Sequence, residues 1–185
     1  MLVPLAEGFE EIEAMSIIDI LRRAGATVIA AGLEEGPIKG RSDVVMVPDC
    51  TLDHALAENE FDMIVLPGGM PASASLRDDR RVIETLVKMR SAGKTVAAIC
   101  AAPIALDRAG ILDGEQFTSY PGMAPDLPTD GYRQDRVVIS GKLLTSRGPG
   151  TALEFAVELV RALYGDSVAR QVADEVLARD NGQGN

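Results

Sequence analysis

Four short apolar runs, each followed by a stretch with helical spacing, constrain this chain more than any other feature. Met1–Leu5, Thr27–Ala31, Phe61–Leu66 and Thr95–Ile99 have the length and bounding turn residues of buried strands. Helical segments follow at Glu10–Ala24, Leu52–Ala57, Arg80–Ala92 and Ala101–Leu106, with Thr151–Tyr164 and Ser167–Leu177 further on. Strands alternating with helices imply βαβ units, hence an α/β fold with a mainly parallel sheet and helices on both faces. Ile38–Lys39 and Val44–Val47 are expected to pair as a small antiparallel excursion. A short strand is expected over Gln116–Thr118, and Arg136–Ser140 with Lys142–Thr145 reads as a hairpin around Gly141. With 185 residues and no repeat or linker, residues 1–180 read as one domain and 181–185 as a disordered polar tail.

In parallel sheets ligands bind beyond the carboxyl ends of the strands. Three loops leave such ends: Ala6–Phe9, Pro67–Met70 and the joint at Cys100. Cys100 lies where an apolar strand meets a helix with Pro103 in its first turn, a position that tolerates the missing N–H. A sulfur at such a joint faces unpaired N–H groups, and that environment favours thiolate. The alternative is a buried cysteine that only packs. The glycines of Pro67-Gly68-Gly69 let backbone approach a ligand closely, unless they serve only to reverse the chain. In the first case the N–H groups of Gly69 and Ala101 form an oxyanion hole beside Cys100.

Glu10, Glu11 and Glu13 open the first long helix, with Arg22 and Arg23 in its last turn, as the helix dipole favours. Glu10 and Glu11 are expected to be solvated. Glu13 falls between Ile12 and Ala14, and a carboxyl buried beside a thiolate stays protonated and can shuttle a proton. Apolar residues lie on more than one side of this helix, which suggests burial against both the sheet and a second subunit.

Other chemistries lack their residues. The one histidine, His54, is expected on the surface, so the imidazole base of a cysteine protease or amidotransferase is missing. Two cysteines and one histidine without ligand spacing point to no metal site. A net charge of −10 argues against nucleic-acid and anionic-membrane partners. No apolar run is long enough to span a bilayer, and Met1 leads straight into Leu2-Val3-Pro4 without a signal-like basic segment, so a cytoplasmic location is expected. Ser146–Thr151 lacks the lysine of a phosphate-binding loop and reads as a helix cap. Cys50 is an exposed oxidisable thiol or an inert loop residue.

Four stretches together resemble one family: Glu10-Glu-Ile-Glu13 with Arg22-Arg-Ala-Gly25, Val65-Leu-Pro-Gly-Gly69, Ala97-Ala-Ile-Cys-Ala-Ala-Pro103 and Thr145-Ser-Arg-Gly-Pro-Gly-Thr151. They resemble the ThiJ/PfpI (DJ-one) superfamily, in the branch of the parkinsonism-associated protein deglycase. The resemblance implies a flavodoxin-like sandwich with a nucleophile elbow, usually a homodimer. It implies Cys100 as the reactive residue, Glu13 as its protonated partner, and Gly69 and Ala101 as backbone donors. It also implies a cofactor-free glyoxalase III or deglycase activity on small aldehydes such as methylglyoxal. The alternative it carries is an oxidative-stress sensor or chaperone-like protein, acting through oxidation of Cys100. Two positions depart from the pattern. Many members of this branch have histidine where Tyr120 stands before Pro121, and since tyrosine is a poor base near neutral pH, proton transfer rests on Glu13 alone; Gly68 and Tyr120 are taken as substrate-binding. An arginine near the site is displaced to Arg41, beside Ser42, and is left unassigned. The protease-like branch has histidine after the cysteine, where this chain has Ala101.

Overall fold

A computed structural model describes residues 1–178. The chain begins with β1 (Leu2–Leu5), α1 (Glu11–Arg23) and β2 (Ile29–Gly32). A two-stranded excursion follows, β3 (Ile38–Lys39) antiparallel to β4 (Val45–Met46). Next come β5 (Cys50–Thr51), α2 (Leu52–Glu58), β6 (Met63–Leu66), α3 (Ala72–Asp78), α4 (Arg80–Ser91), β7 (Thr95–Ile99) and α5 (Pro103–Arg108). The hairpin β8 (Val137–Ser140) and β9 (Leu143–Ser146) leads into α6 (Ala152–Tyr164) and α7 (Asp166–Glu175). The tail expected over 181–185 lies outside the described residues.

The main sheet has the order β5-β2-β1-β6-β7-β9-β8, and every neighbouring pair is parallel except β8 with β9. Leu2, Val3, Met63–Leu66 and Val96–Ile99 are fully buried, as strands covered on both faces must be. Helices α1, α6 and α7 pack together, while α3, α4 and α5 form a second group. Right-handed crossovers place the two groups on opposite faces, because β1 to β2 runs one way along the sheet and β6 to β7 the other.

That change of direction opens a crevice at the carboxyl ends of β1 and β6. The loops leaving these strands touch there: a Cβ on Gly8 would lie 2.5 Å from Pro71 Cδ. The expected helices and hairpin form, with boundaries shifted by a few residues. Three details differ from expectation. Gln116–Thr118 does not join the sheet; only Phe117 makes an isolated bridge, to Tyr132. Helix α3 and the short edge strand β5 were not expected at all.

Candidate active site

The strand β7 delivers Cys100 to the carboxyl edge of the sheet with φ 64°, a left-handed conformation that non-glycine residues rarely adopt. Hydrogen bonds hold it from both sides. Cys100 N–H donates to the Ser146 carbonyl on the neighbouring strand at 2.9 Å, and its own carbonyl accepts Tyr120 N–H at 2.8 Å. The chain then turns into α5 with Pro103 at the first helical position. This is the strand-to-helix elbow expected from the sequence. Cys100 is only 6% exposed, and the backbone N–H groups of Ala101 and Gly69 point at its sulfur.

Glu13 arrives from α1 and is completely buried. Its Oε2 accepts Gly68 N–H at 2.8 Å, while Glu10 N–H donates to the Gly68 carbonyl at 3.0 Å. Gly68 is therefore gripped on both its polar groups by the start of α1. No side chain fits at this position: a Cβ would stand 2.6 Å from Glu13 Oε2 and 2.7 Å from Cys100 Cβ. Gly69 is equally constrained, with φ 94° and a would-be Cβ 2.4 Å from the Gly8 carbonyl oxygen. Both glycines are needed for the backbone to approach the reacting groups.

The carboxyl and the thiol interact directly, and burial dominates the electrostatics of both. Desolvation raises the Glu13 pKa to about 7, opposed by its bonds to Cys100 and Gly68. The charge of Glu10 raises it further, and that of Arg41 lowers it. Glu13 Oε1 is buried without a hydrogen-bond partner, and the Cys100 thiol is among the groups that act on this carboxyl.

The thiolate expectation needs correction. Desolvation and then the charge of Glu13 push the Cys100 thiol up to about 12, against the two backbone donors. Helix α5 has only six residues and supplies too little dipole to offset burial. Glu13 moves in the expected direction, its carboxyl raised well above the usual range by burial. Burial raises both groups, and the negative charge of either one disfavours ionisation of the other, so the two do not ionise together.

Glu10 and Glu11 are also not the solvated residues expected. Glu10 is 6% exposed and caps α1, its Oε2 accepting Glu13 N–H at 2.8 Å. Glu11 Oε1 accepts Ser42 N–H at 2.7 Å and so ties α1 to the loop between β3 and β4. Two backbone bonds strengthen that attachment, Gly8 N–H to the Lys39 carbonyl at 2.8 Å and Arg41 N–H to the Phe9 carbonyl at 2.9 Å. Sequence reasoning missed Arg41 and Glu10 as groups acting on Glu13. The signal for Glu10 was its spacing of three from Glu13, the spacing of a capping side chain and the N–H it accepts.

Tyr120 sits directly beyond the elbow and is about half exposed, with its ring against Gly122 and Gly148. His54 is exposed on α2, and Cys50 is half-buried at the sheet edge. In the Ser146–Thr151 turn, Thr151 Oγ1 accepts Gly148 N–H at 3.1 Å and donates to the Gly148 carbonyl at 2.8 Å. Among the described residues no three His, Cys, Asp or Glu side chains are grouped to hold a metal ion, and no helix is long and apolar enough to cross a membrane.

A flavodoxin-like sandwich with a cysteine on a left-handed elbow and a buried carboxyl against its sulfur defines a class of α/β thiol proteins. Within that class the chain belongs to the DJ-1/PfpI family, whose model matches residues 1–162. It is 42% identical over 183 residues to Protein dj-1beta of Drosophila melanogaster, covering 97% of each chain. It is 37% identical over 161 residues to the glutathione-independent glyoxalase DJR-1.2 of Caenorhabditis elegans, covering 86% of this chain and 85% of that one. The structure of oxidized Toxoplasma gondii DJ-1 superposes with a TM-score of 0.92 at 39% identity, over 96% of this chain and 97% of that one.

Proposed function

We propose that this protein is a cofactor-independent glyoxalase that converts small 2-oxoaldehydes such as methylglyoxal to the hydroxy acid, with deglycase chemistry on related adducts. One observation carries the reading: a buried carboxyl with a pKa near 7 faces a buried thiol ringed by two backbone donors. The name of the Caenorhabditis elegans relative supports it.

The pair explains how a site without histidine performs acid–base work. Glu13 carboxylate takes the thiol proton as sulfur adds to the aldehyde carbon, and the oxyanion forms against the N–H groups of Gly69 and Ala101. Glu13 returns the proton to that oxygen, giving a neutral hemithioacetal. Glu13 next carries the proton of the former aldehyde carbon to the neighbouring carbonyl oxygen, giving the enediol, and then carries the proton of the first hydroxyl to the second carbon. The product is a 2-hydroxyacyl thioester on Cys100. Water cleaves it to the hydroxy acid and regenerates the thiol, so the sum is aldehyde plus water with no external oxidant. A carboxyl with pKa near 7 suits each transfer, because it gives and takes a proton with little driving force either way. Gly68 and Tyr120 line the approach and are assigned to substrate binding.

The site also suits a second reading, favoured by the oxidized state of the Toxoplasma gondii neighbour. Peroxide attacked by the sulfur yields sulfenic acid, a second equivalent yields sulfinate, and each step releases water. The donors at the sulfur and a protonated Glu13 would hold the product. Two free thiols fit a reducing compartment, and we assign the protein to the cytoplasm. The exposed face of α1, with Ile12 at 57% and Met15 at 40%, is the surface we assign to a homodimer.

The test is lactate formation from methylglyoxal by wild type, Cys100→Ser and Glu13→Gln. Turnover lost in both variants is expected. Lactate from wild type no faster than from Cys100→Ser would eliminate the glyoxalase reading, and stoichiometric peroxide consumption at Cys100 would then favour the second.

A further inference from the structure

Helices α2 and α4 lie on the same side of the sheet and leave a trough of about 480 Å3 between them. Ion pairs brace it at both ends. Towards the carboxyl edge, Arg81 on α4 reaches Asp53 on α2 at 2.8 Å and the Leu33 carbonyl at 3.0 Å. Towards the amino edge, Lys94 pairs with Asp62 at 2.5 Å. Arg81 ties α4 to α2, and within α2 Leu56 is the residue that lines the gap. The floor is Phe61 and Met89, both nearly buried. The volume falls within the roughly 300–1,000 Å3 typical of small-molecule sites. None of its lining belongs to the Cys100 site, which lies at the opposite end of β7 from Lys94.

The charges around the trough define what it accepts. Arg81 and Lys94 are engaged as described, and Glu84 is paired with Arg80 at 2.6 Å. Among the described residues, two lining charges have no ion-pair partner: Lys88 on the helix wall and Glu60 on the loop wall. They are opposite in sign, one on α4 and the other on the loop after α2, and both are exposed residues of a trough that also holds the buried Phe61 and Met89. We infer that this trough binds a small amphipathic zwitterion, an amino acid with an aromatic or branched aliphatic side chain. The side chain lies on Phe61, Met89 and Leu56, the carboxylate meets Lys88 and the ammonium meets Glu60. A simple organic anion would meet Glu60 unfavourably, and an uncharged apolar molecule would leave both charges unused.

The test is a titration of 15N-labelled protein with L-phenylalanine, followed by NMR. Saturable shifts are expected at the amides of Phe61, Lys88 and Met89. Removing one ligand charge, as in 3-phenylpropionate or phenethylamine, is expected to weaken binding at least about tenfold, the scale of one charge-assisted contact. Lys88→Glu weakens binding by a similar factor, and Thr85→Trp, which fills the trough, abolishes it. Iodoacetamide alkylates Cys100 at the wild-type rate in Lys88→Glu, separating lost binding from lost fold. The inference is overturned if L-phenylalanine and L-leucine give no saturable shifts, or if both single-charge analogues bind as well as the amino acid. Neither result bears on the aldehyde chemistry.

Discussion

Glu13 is the residue at which stability and chemistry conflict. Its pKa rises from 4.5 to about 7 on folding, so the native state binds the extra proton across that window. Stability therefore falls as pH rises from about 4.5 to 7, and the full penalty, on the order of 3 kcal/mol, is present above pH 7. Glu13→Gln keeps an acceptor for Gly68 N–H without the buried charge. It is expected to raise the denaturation midpoint at pH 8 and to change it little at pH 5, while turnover is lost. Equal shifts at both pH values would contradict the assignment of the charge to this carboxyl. At Gly68 the conflict is steric. Gly68→Ala would drive a methyl into Glu13 Oε2 and Cys100 Cβ, and an overpacking cost of about 1–3 kcal/mol is expected, with a loss of activity larger than the loss of folded protein. Comparing the melting curve with kcat of the folded fraction separates the two. The elbow at Cys100 and the need for glycines beside it were legible in the sequence, because both follow from a strand ending at the edge of a parallel sheet. The protonation state was not, because it depends on how completely the sulfur and the carboxyl are buried, which strand and helix spacing does not show. Glu10 was misjudged for a related reason: an acidic residue at a helix start satisfies the dipole equally well exposed or buried.

The excursion β3–β4 is the element most directly coupled to the site without belonging to the main sheet. Its bonds from Gly8, Arg41 and Ser42 fasten it to the loop before α1, and through Arg41 it acts on the charge of Glu13. Glu11→Ala removes one of these fastenings. A destabilisation of about 1 kcal/mol is expected, since the exposed Ser42 N–H can be hydrated, together with faster proteolytic cleavage between β3 and β4. Cleavage at the wild-type rate would show that the backbone bonds alone hold the excursion. Its pairing is expected because Ile38–Lys39 and Val44–Val47 are two short β-rich segments close together in the chain. The strand β5 was missed because two residues carry no alternation; it exists only because Cys50 and Thr51 pair in parallel with Ala31 and Gly32. Helix α3 was missed because Ala72–Asp78 is rich in Ala and Ser and has one large apolar residue, Leu76, to bury. At Phe117 the sequence has the composition of a strand, but its neighbours turn towards the Tyr132 loop.

At the scale of the molecule, the sheet order brings three loops from distant parts of the chain to one edge, and the site exists only there. The βαβ alternation announced this, so the fold and the loops of the site could be read before the distances between them. The outer face of α1 has a role only at this scale. Ile12 and Met15 are exposed on the helix whose inner side carries Glu13, so an assembly covering them would rigidify the site. The homodimer assigned to this face predicts a dimer by sedimentation equilibrium for wild type and a monomer for Ile12→Glu with Met15→Glu; an unchanged dimer would move the interface elsewhere. The central claim is that Glu13 and Cys100 react as one proton-sharing unit, and the pH dependence of lactate formation from methylglyoxal tests it most directly. Wild-type kcat/KM is expected to rise with pH to a plateau, with a midpoint near 7 set by Glu13. In Glu13→Gln that limb is absent, with no lactate formation above the Cys100→Ser blank at any pH. A limb near pH 7 that persists in Glu13→Gln would contradict the account.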